Sequence, residues 1–139
     1  MRFTIAAAVA FFGATAFAAS EDVRIASFSV SKGETDGALQ NASFKLSGNE
    51  ATDLDCSADL AGKTLPTEDF TCGTSTYRFA LDKGDSTDFA LVINHESAEG
   101  RLQGRGDAVT YCHAGGAANL LCTQQNDITI TVADTAVGK

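Results

Sequence analysis

The sequence predicts an all-β protein, a compact antiparallel β-barrel or sandwich with two intrachain disulfides. Three observations support this fold class: hydrophobic residues alternate with polar ones at period two, turn-forming residues recur at short intervals, and four cysteines follow an N-terminal export signal. Period two is the spacing of side chains that share one face of a strand, and helical periodicity is weak after residue 20. We expect roughly seven to ten short strands and no internal repeat.

The first 18 residues have the features of a signal peptide. Arg2 supplies the positive charge, residues 5–12 are apolar, and an Ala-Phe-Ala cleavage sequence ends at Ala18. A membrane anchor is disfavoured because the apolar stretch is too short and too rich in alanine to span about 30 Å of hydrocarbon. The sequence therefore predicts cleavage between Ala18 and Ala19, secretion, and a single β-barrel-like domain over residues 19–139.

The charge balance excludes some function classes. The 139 residues contain 18 Asp and Glu against 10 Lys and Arg, a net charge of -8, which argues against a nucleic-acid binder. No second apolar run approaches membrane-spanning length, so no membrane insertion is expected. Four of the nine Phe lie in the first 18 residues, and there is no Trp. The aromatic side chains that remain are expected to fill the core, so a sugar-binding or base-stacking platform is disfavoured.

Five alternating runs predict the main strands. Their inward-facing residues are Phe28 and Val30; Ala42, Phe44 and Leu46; Tyr77, Phe79 and Leu81; Phe89, Leu91 and Ile93; and Ile128, Ile130 and Val132. Turn residues separate these runs at 31–37, 82–85, 99–100 and 115–116. Residues 60–69, with the single proline Pro66, predict a longer loop, and residues 133–139 predict a frayed tail.

The four cysteines, Cys56, Cys72, Cys112 and Cys122, predict two disulfides in an exported protein. Three connectivities are open, and local pairing across single loops is the simplest. Closing a loop of about 15 residues contributes roughly 3 kcal/mol in the chain-entropy model. A metal site at Cys112, His113 and Cys122 is disfavoured, because adjacent side chains of a strand point to opposite faces. We expect no metal and no cofactor.

The two histidines are the only candidates for proton transfer near neutral pH. His95 and His113, with a carboxylate such as Glu96 or Glu99 and with Arg101, have the composition of a ribonuclease-type site. Nearly any acidic domain of this size contains such residues, and both histidines are expected at ordinary surface positions. We therefore expect no catalytic residues, with a small secreted hydrolase or nuclease as a remote alternative.

Two short motifs in the sequence are associated with adhesion and with glycosylation. Arg105-Gly106-Asp107 spells an integrin-type adhesion tripeptide, but the residues around it continue a strand pattern, so we interpret the match as chance. Asn41-Ala42-Ser43 is a glycosylation sequon between polar neighbours, and Asn41 is therefore a candidate glycosylation site.

The segments around the cysteines carry a resemblance to a known family. They read Leu54-Asp55-Cys56-Ser57-Ala58, Phe70-Thr71-Cys72-Gly73, Tyr111-Cys112-His113-Ala114-Gly115-Gly116 and Leu121-Cys122. In these segments the chain resembles the Alternaria major-allergen family of small proteins secreted by fungi, several of which elicit plant defence. The match runs from about residue 54 to residue 132, and the Tyr-Cys-x-Ala-Gly-Gly segment is its most specific part.

The resemblance implies a compact β-barrel-like fold with the bonds Cys56–Cys72 and Cys112–Cys122. It also implies a role in the host apoplast or the fungal cell wall, without catalytic residues. The implied partners are a plant extracellular protein, such as a thaumatin-like defence protein or a receptor, or a flavonoid-type small molecule. The prototype allergen has an earlier cysteine that links two subunits, whereas no cysteine precedes Cys56 here, so no covalent dimer is expected.

Two functional hypotheses follow. In the first, the chain is a secreted fungal effector or elicitor that interacts with plant defence components through exposed loops, expected at residues 31–37, 60–69, 82–88 and 113–119. In the second, the chain carries a small apolar ligand inside the barrel. The second is weakened because we expect side chains to fill an interior of this size.

Overall fold

Ten strands and no helix make up the part of the chain that the computed structural model describes, residues 19–98, 100–116 and 118–134. The all-β prediction is therefore confirmed, and these residues contain no helix that could cross a membrane. The strands are β1 (Ser20–Gly33), β2 (Leu39–Gly48), β3 (Ala51–Asp59), β4 (Phe70–Thr71), β5 (Tyr77–Asp82), β6 (Phe89–Ser97), β7 (Gly100–Ala108), β8 (Thr110–Gly116), β9 (Asn119–Gln124) and β10 (Ile128–Asp134).

The strands form one antiparallel sheet that closes almost completely into a barrel. Its order is β3-β2-β1-β10-β7-β6-β5-β4, and β8 and β9 form a hairpin that joins β1. The disulfide between Cys56 and Cys72 connects β3 at one end of this order with the residue that follows β4 at the other end. The bond therefore links the two edges of the sheet, in the pairing that the family resemblance implies.

Strand β1 is bent and has neighbours on both edges. It pairs with β2 on one side, while on the other side residues 20–25 pair with β10 and residues 29–33 pair with β9. The pairing with β2 shifts register between Ala26 and Ser29, and Ser27 has a φ of 57°. A residue in this left-handed region interrupts a regular strand, as in a β-bulge.

The side chain of Gln124 supplies the hydrogen bonds that the bend in β1 leaves open. The Phe28 amide donates to Gln124 Oε1 at 2.7 Å. Gln124 Nε2 donates to the carbonyl oxygens of Ile25 at 3.2 Å and Asn126 at 2.6 Å. Because an unpaired backbone group away from water is costly, Gln124 stabilises the bent form of β1.

Aromatic rings fill the interior of the barrel. Phe28 contacts Phe44 and Phe89 with ring centroids 6.2 and 6.3 Å apart, and Phe44 meets Phe79 edge-on at 4.9 Å. These residues are at most 3% exposed and belong to one buried hydrophobic cluster that also includes Leu46, Leu81, Leu91 and Ile93. The expectation that side chains fill the interior is confirmed for the described residues.

The hairpin of β8 and β9 differs from the sequence prediction. Residues 113–119 were expected to form a loop, but β8 continues to Gly116 and β9 begins at Asn119. The prediction was wrong because Ala114 and Gly116 pair with Leu120 and Asn119, so the glycines lie in a strand. Cys112 and Cys122 lie directly opposite each other in this hairpin and form its disulfide.

Three strands end later than the sequence predicts. Strand β1 continues to Gly33, so only the later part of 31–37 is a turn. Strand β10 continues through Ala133 to Asp134, which pair with β7, so the predicted tail is wrong at these two residues, and residues 135–139 lie outside the described part. The long loop at 60–69 is confirmed, as is the loop that follows β5, although Asp82 itself ends that strand.

The contribution of Gln124 is tested by the substitution Gln124→Ala. We expect it to lower the free energy of unfolding by about 1–3 kcal/mol, since it leaves the Phe28 amide and the Ile25 carbonyl unpaired. Gln125→Ala, at the exposed neighbouring position, is the matched control and should be close to neutral. Urea unfolding measures the free energy of unfolding of both variants. Equal stability of the two variants would contradict this role of Gln124.

Candidate functional site

Three polar side chains occupy positions that face the core at one end of the barrel. They are Glu21 at the start of β1, Tyr77 at the start of β5 and His95 near the end of β6, with exposed fractions of 4%, 0% and 1%. Tyr77 and His95 lie opposite each other in the β5–β6 pair. We refer to Glu21, Tyr77 and His95 as the polar cluster.

The carboxylate of Glu21 is the centre of the polar cluster. His95 Nδ1 lies 2.6 Å from Glu21 Oε1. Glu21 Oε2 accepts a hydrogen bond from the Asn49 amide at 2.7 Å and another from the Tyr77 hydroxyl. A buried carboxylate is tolerated only when its oxygens are satisfied in this way.

The turn between β2 and β3 completes the network. His95 Nε2 lies 3.0 Å from Thr76 Oγ1 and 3.2 Å from Glu50 Oε1, and the Glu50 amide donates to the Tyr77 hydroxyl oxygen at 3.1 Å. Both ring nitrogens of His95 thus have oxygen atoms within hydrogen-bond distance. The rings of Tyr77 and His95 stack at 3.8 Å with an interplanar angle of 10°.

The environment of Tyr77 keeps its hydroxyl protonated. Burial raises the pKa of Tyr77 far above its ordinary value of 10.0, and the hydrogen bond to the Glu21 carboxylate raises it further. A protonated hydroxyl can donate to Glu21 while it accepts from the Glu50 amide. Tyr77 therefore acts as a fixed link between β1 and the β2–β3 turn.

Close packing leaves the polar cluster without space for a reactant. At Gly48 an added Cβ would lie 2.4 Å from Glu21 Oε2 and 2.6 Å from the Tyr77 hydroxyl oxygen, so only glycine fits there without rearrangement. Every nitrogen and oxygen atom of the three side chains has a protein partner. The geometry is that of a structural element that joins β1, β5, β6 and the β2–β3 turn.

The expectation that His95 occupies an ordinary surface position was wrong. The alternation of Phe89, Leu91 and Ile93 continues to His95, so its side chain points into the barrel, where Glu21 pairs with it. Glu21 itself was missed, although it precedes Val23 and Ile25 at the same spacing. Continued period-two alternation was the signal that could have located both residues.

The candidate ribonuclease-type set is not brought together. His95 lies in β6, between β5 and β7, whereas the exposed His113 lies in β8, whose strand partner is β9. Arg101 forms an ion pair with Glu96 across β6 and β7 at 2.8 Å. Glu99 lies outside the described residues.

The Arg-Gly-Asp tripeptide lies within β7, as the strand pattern predicts. Arg105 forms ion pairs with Asp82 at 2.9 Å and Asp85 at 3.3 Å. Asp107 accepts hydrogen bonds from the amides of Ser86 and Asp85, and these bonds hold the pKa of Asp107 below its ordinary value. Both charged side chains thus hold the loop after β5 against the barrel.

Three further expectations concern the glycosylation sequon, the signal peptide and metal binding. Asn41 is exposed on β2, so the sequon is accessible, and its glycosylation stays a prediction. The predicted signal peptide, including Ala18, lies outside the described residues, and Ala19 is the first residue described. Within the described part of the chain, no three His, Cys, Asp or Glu side chains are grouped so that they could hold a metal ion.

An open pocket lies at the opposite end of β1 from the polar cluster. It has a volume of about 630 Å³ and is bounded by the end of β1 with the turn that follows it, the loop after β3 and the loop after β5. Its lining includes Lys32, Leu39, Leu65 and Phe89. We refer to it as the loop pocket.

Comparison with known proteins identifies the family. Residues 25–126 match the family model described as Alternaria alternata allergen 1. The chain belongs to this family. The matched segment contains all four cysteines, so the family resemblance found in the sequence is confirmed.

Relatives and solved structures agree with this assignment. The chain is 44% identical to effector protein PevD1 of Verticillium dahliae over 149 aligned positions, which cover 95% of this chain and 94% of that protein. It is also similar to two crystal structures of the Alternaria alternata allergen Alt a 1, each with a TM-score of 0.63 and 25% identity. These matches cover 80% of this chain and 91% and 86% of the two allergen chains.

The polar cluster is tested by Tyr77→Phe. At neutral pH we expect the free energy of unfolding to fall by about 1–3 kcal/mol, because Glu21 loses a donor and the Glu50 amide loses its acceptor. Tyr111→Phe removes an exposed hydroxyl and is the control.

The raised pKa of Tyr77 also predicts a pH dependence. Above the ordinary value of 10.0 the unfolded chain loses the Tyr77 proton while the folded chain keeps it, so the stability that this group contributes declines as the pH rises. The difference between wild type and Tyr77→Phe should therefore narrow between about pH 9 and pH 11. A difference that stays constant over this range would contradict the assignment.

Proposed function

We propose that the chain is a secreted fungal effector that acts by contact with plant extracellular defence components. The observation that carries the proposal is the similarity to effector protein PevD1, which extends over nearly the full length of both chains. The predicted signal peptide and the two disulfides are consistent with an extracellular site of action, in the host apoplast or at the fungal cell wall.

The surface of β3 favours a basic partner. The outward-facing residues of its central and final part are Asp53, Asp55, Ser57 and Asp59, and all four are exposed. Lys45 pairs with Asp55 and is the only cation among the β2 residues that the structure places opposite β3. Such a row of carboxylates would attract a basic surface and speed its approach. A basic plant extracellular protein of the thaumatin-like class, or a receptor, fits this chemistry.

The alternative functions have less support. A flavonoid-type ligand inside the barrel would have to displace the rings of Phe28, Phe44, Phe79 and Phe89, which are packed against one another. A hydrolase or nuclease would need reactive groups that reach a substrate, whereas His95 is enclosed in the polar cluster. We therefore favour an interaction protein without catalytic activity.

The effector proposal is tested by infiltration of leaves with the purified chain that begins at Ala19. We expect the native protein to induce a defence response, and the reduced and alkylated protein to induce none, because opening both disulfides releases the barrel edges and the hairpin. The absence of any response to the native protein would contradict the proposal. A response that survives reduction would contradict recognition of the folded surface.

The role of the β3 carboxylates is tested by association kinetics with a basic thaumatin-like protein. We expect the rate to fall as the salt concentration rises, and Asp53→Asn with Asp59→Asn to lower the rate roughly three- to tenfold at low salt. The control, Asp22→Asn with Glu34→Gln, removes the same charge from outside β3 and should have a smaller effect. Salt-independent association, or equal effects of the two double variants, would contradict this role.

A further inference from the structure

The loop pocket has the dimensions of a small-ligand site. Its volume of about 630 Å³ lies within the range of roughly 300–1,000 Å³ that is typical of such sites. It is open to solvent, so a ligand could enter without movement of the barrel. Gly37 and Gly62 line the pocket with φ values of 68° and 77°, and neither has an atom within 4 Å of where a Cβ would be.

The floor of the loop pocket is apolar. Phe89 at the start of β6 and Leu39 at the start of β2 contribute side chains that are 2% and 9% exposed, and the half-buried Leu65 contributes from the loop after β3. These three residues come from separate elements and line the same pocket. The floor can therefore contact the apolar body of a ligand and shield it from water.

The rim of the loop pocket is unusually rich in lysine. Lys32, Lys63 and Lys83 are three of the five lysines in a chain with a net charge of -8, and all three line the pocket. Lys63 is paired with Glu68 at 2.7 Å. Among the described residues, no carboxylate lies within ion-pair distance of Lys32 or Lys83, and the Lys32 ammonium lies 5.8 Å from the centre of the Phe89 ring.

Two carboxylates also line the loop pocket, and they have different roles. Asp36 accepts a hydrogen bond from the Ala38 amide at 3.0 Å and so stabilises the turn after β1. Asp88, which precedes β6, is exposed and makes no hydrogen bond or ion pair within the described part of the chain. Asp88 is therefore the carboxylate that would oppose an anion at this rim.

We propose that the loop pocket binds a small organic acid, with its apolar body on the floor and its anionic group between Lys32 and Lys83. The apolar floor and the two ammonium groups without carboxylate partners are complementary to the two parts of such a ligand. The Lys32 ammonium group lies close to the Phe89 ring, so the cation is beside the apolar floor. This site is separate from the carboxylate row of β3 and does not depend on the effector proposal.

The proposal is tested with anilinonaphthalene sulfonate, a fluorescent aromatic anion, and the folded chain that begins at Ala19. We expect saturable binding at one site, and competition by naphthalene carboxylate but not by the neutral naphthalene methanol. Lys32→Gln with Lys83→Gln should weaken binding roughly tenfold, since both ammonium groups are lost. Asp88→Asn should tighten binding roughly two- to threefold, because it removes the opposing charge.

The controls separate this site from other causes of probe binding. Lys45→Gln removes a lysine that lies outside the pocket and should leave the affinity unchanged. Unchanged melting temperatures of all variants would show that the probe reports on the folded protein. Binding that is not saturable, that is unaffected by the double lysine variant, or that the neutral alcohol displaces as well as the acid would overturn the proposal.

Discussion

The bend in β1 is the constraint on which the rest of the structure depends. Both edges of this strand are paired, with β2 along one side and with β10 and then β9 along the other. The register shift between Ala26 and Ser29 lets the first half of β1 pair with β10 and its second half pair with β9 of the β8–β9 hairpin. A straight strand could not make both pairings. Gln124 stabilises the bend because its side chain accepts a hydrogen bond from the Phe28 amide and donates one to the Ile25 carbonyl.

The two ends of β1 have opposite chemical character. At the first end Glu21 is enclosed with Tyr77 and His95, and hydrogen bonds satisfy its charge. At the other end Lys32 lies at an open pocket beside Phe89, with no carboxylate partner among the described residues. The closed end stabilises the barrel, and the open end, formed by loops, is available for recognition. The disulfides support this division, since one joins the barrel edges and the other fixes the hairpin.

Local sequence patterns predicted the fold class, five of the strands and the long loop, because period two and turn residues act over short distances. The connection of β1 to both β10 and β9 could not be predicted, since it depends on the side chain of Gln124, 96 positions from Phe28. Glu21 and His95 were missed because charged and titratable residues are usually assigned to the surface. Glu21 and His95 are 74 positions apart in the sequence, and only their contact inside the folded barrel identifies them as a buried pair. The loop pocket could not be predicted from local sequence patterns either, because three separate loops form it.

Native-state amide hydrogen exchange, resolved by residue, tests the central role of β1 most directly. The amides of Val23, Ile25 and Val30 should exchange only through global unfolding, since their side chains are fully buried in the core and β1 is paired along both edges. Amides of β8, which has β9 as its strand partner, should alternate between slow and fast exchange. Exchange of the three β1 amides at the rate of the unprotected β8 amides would contradict the account.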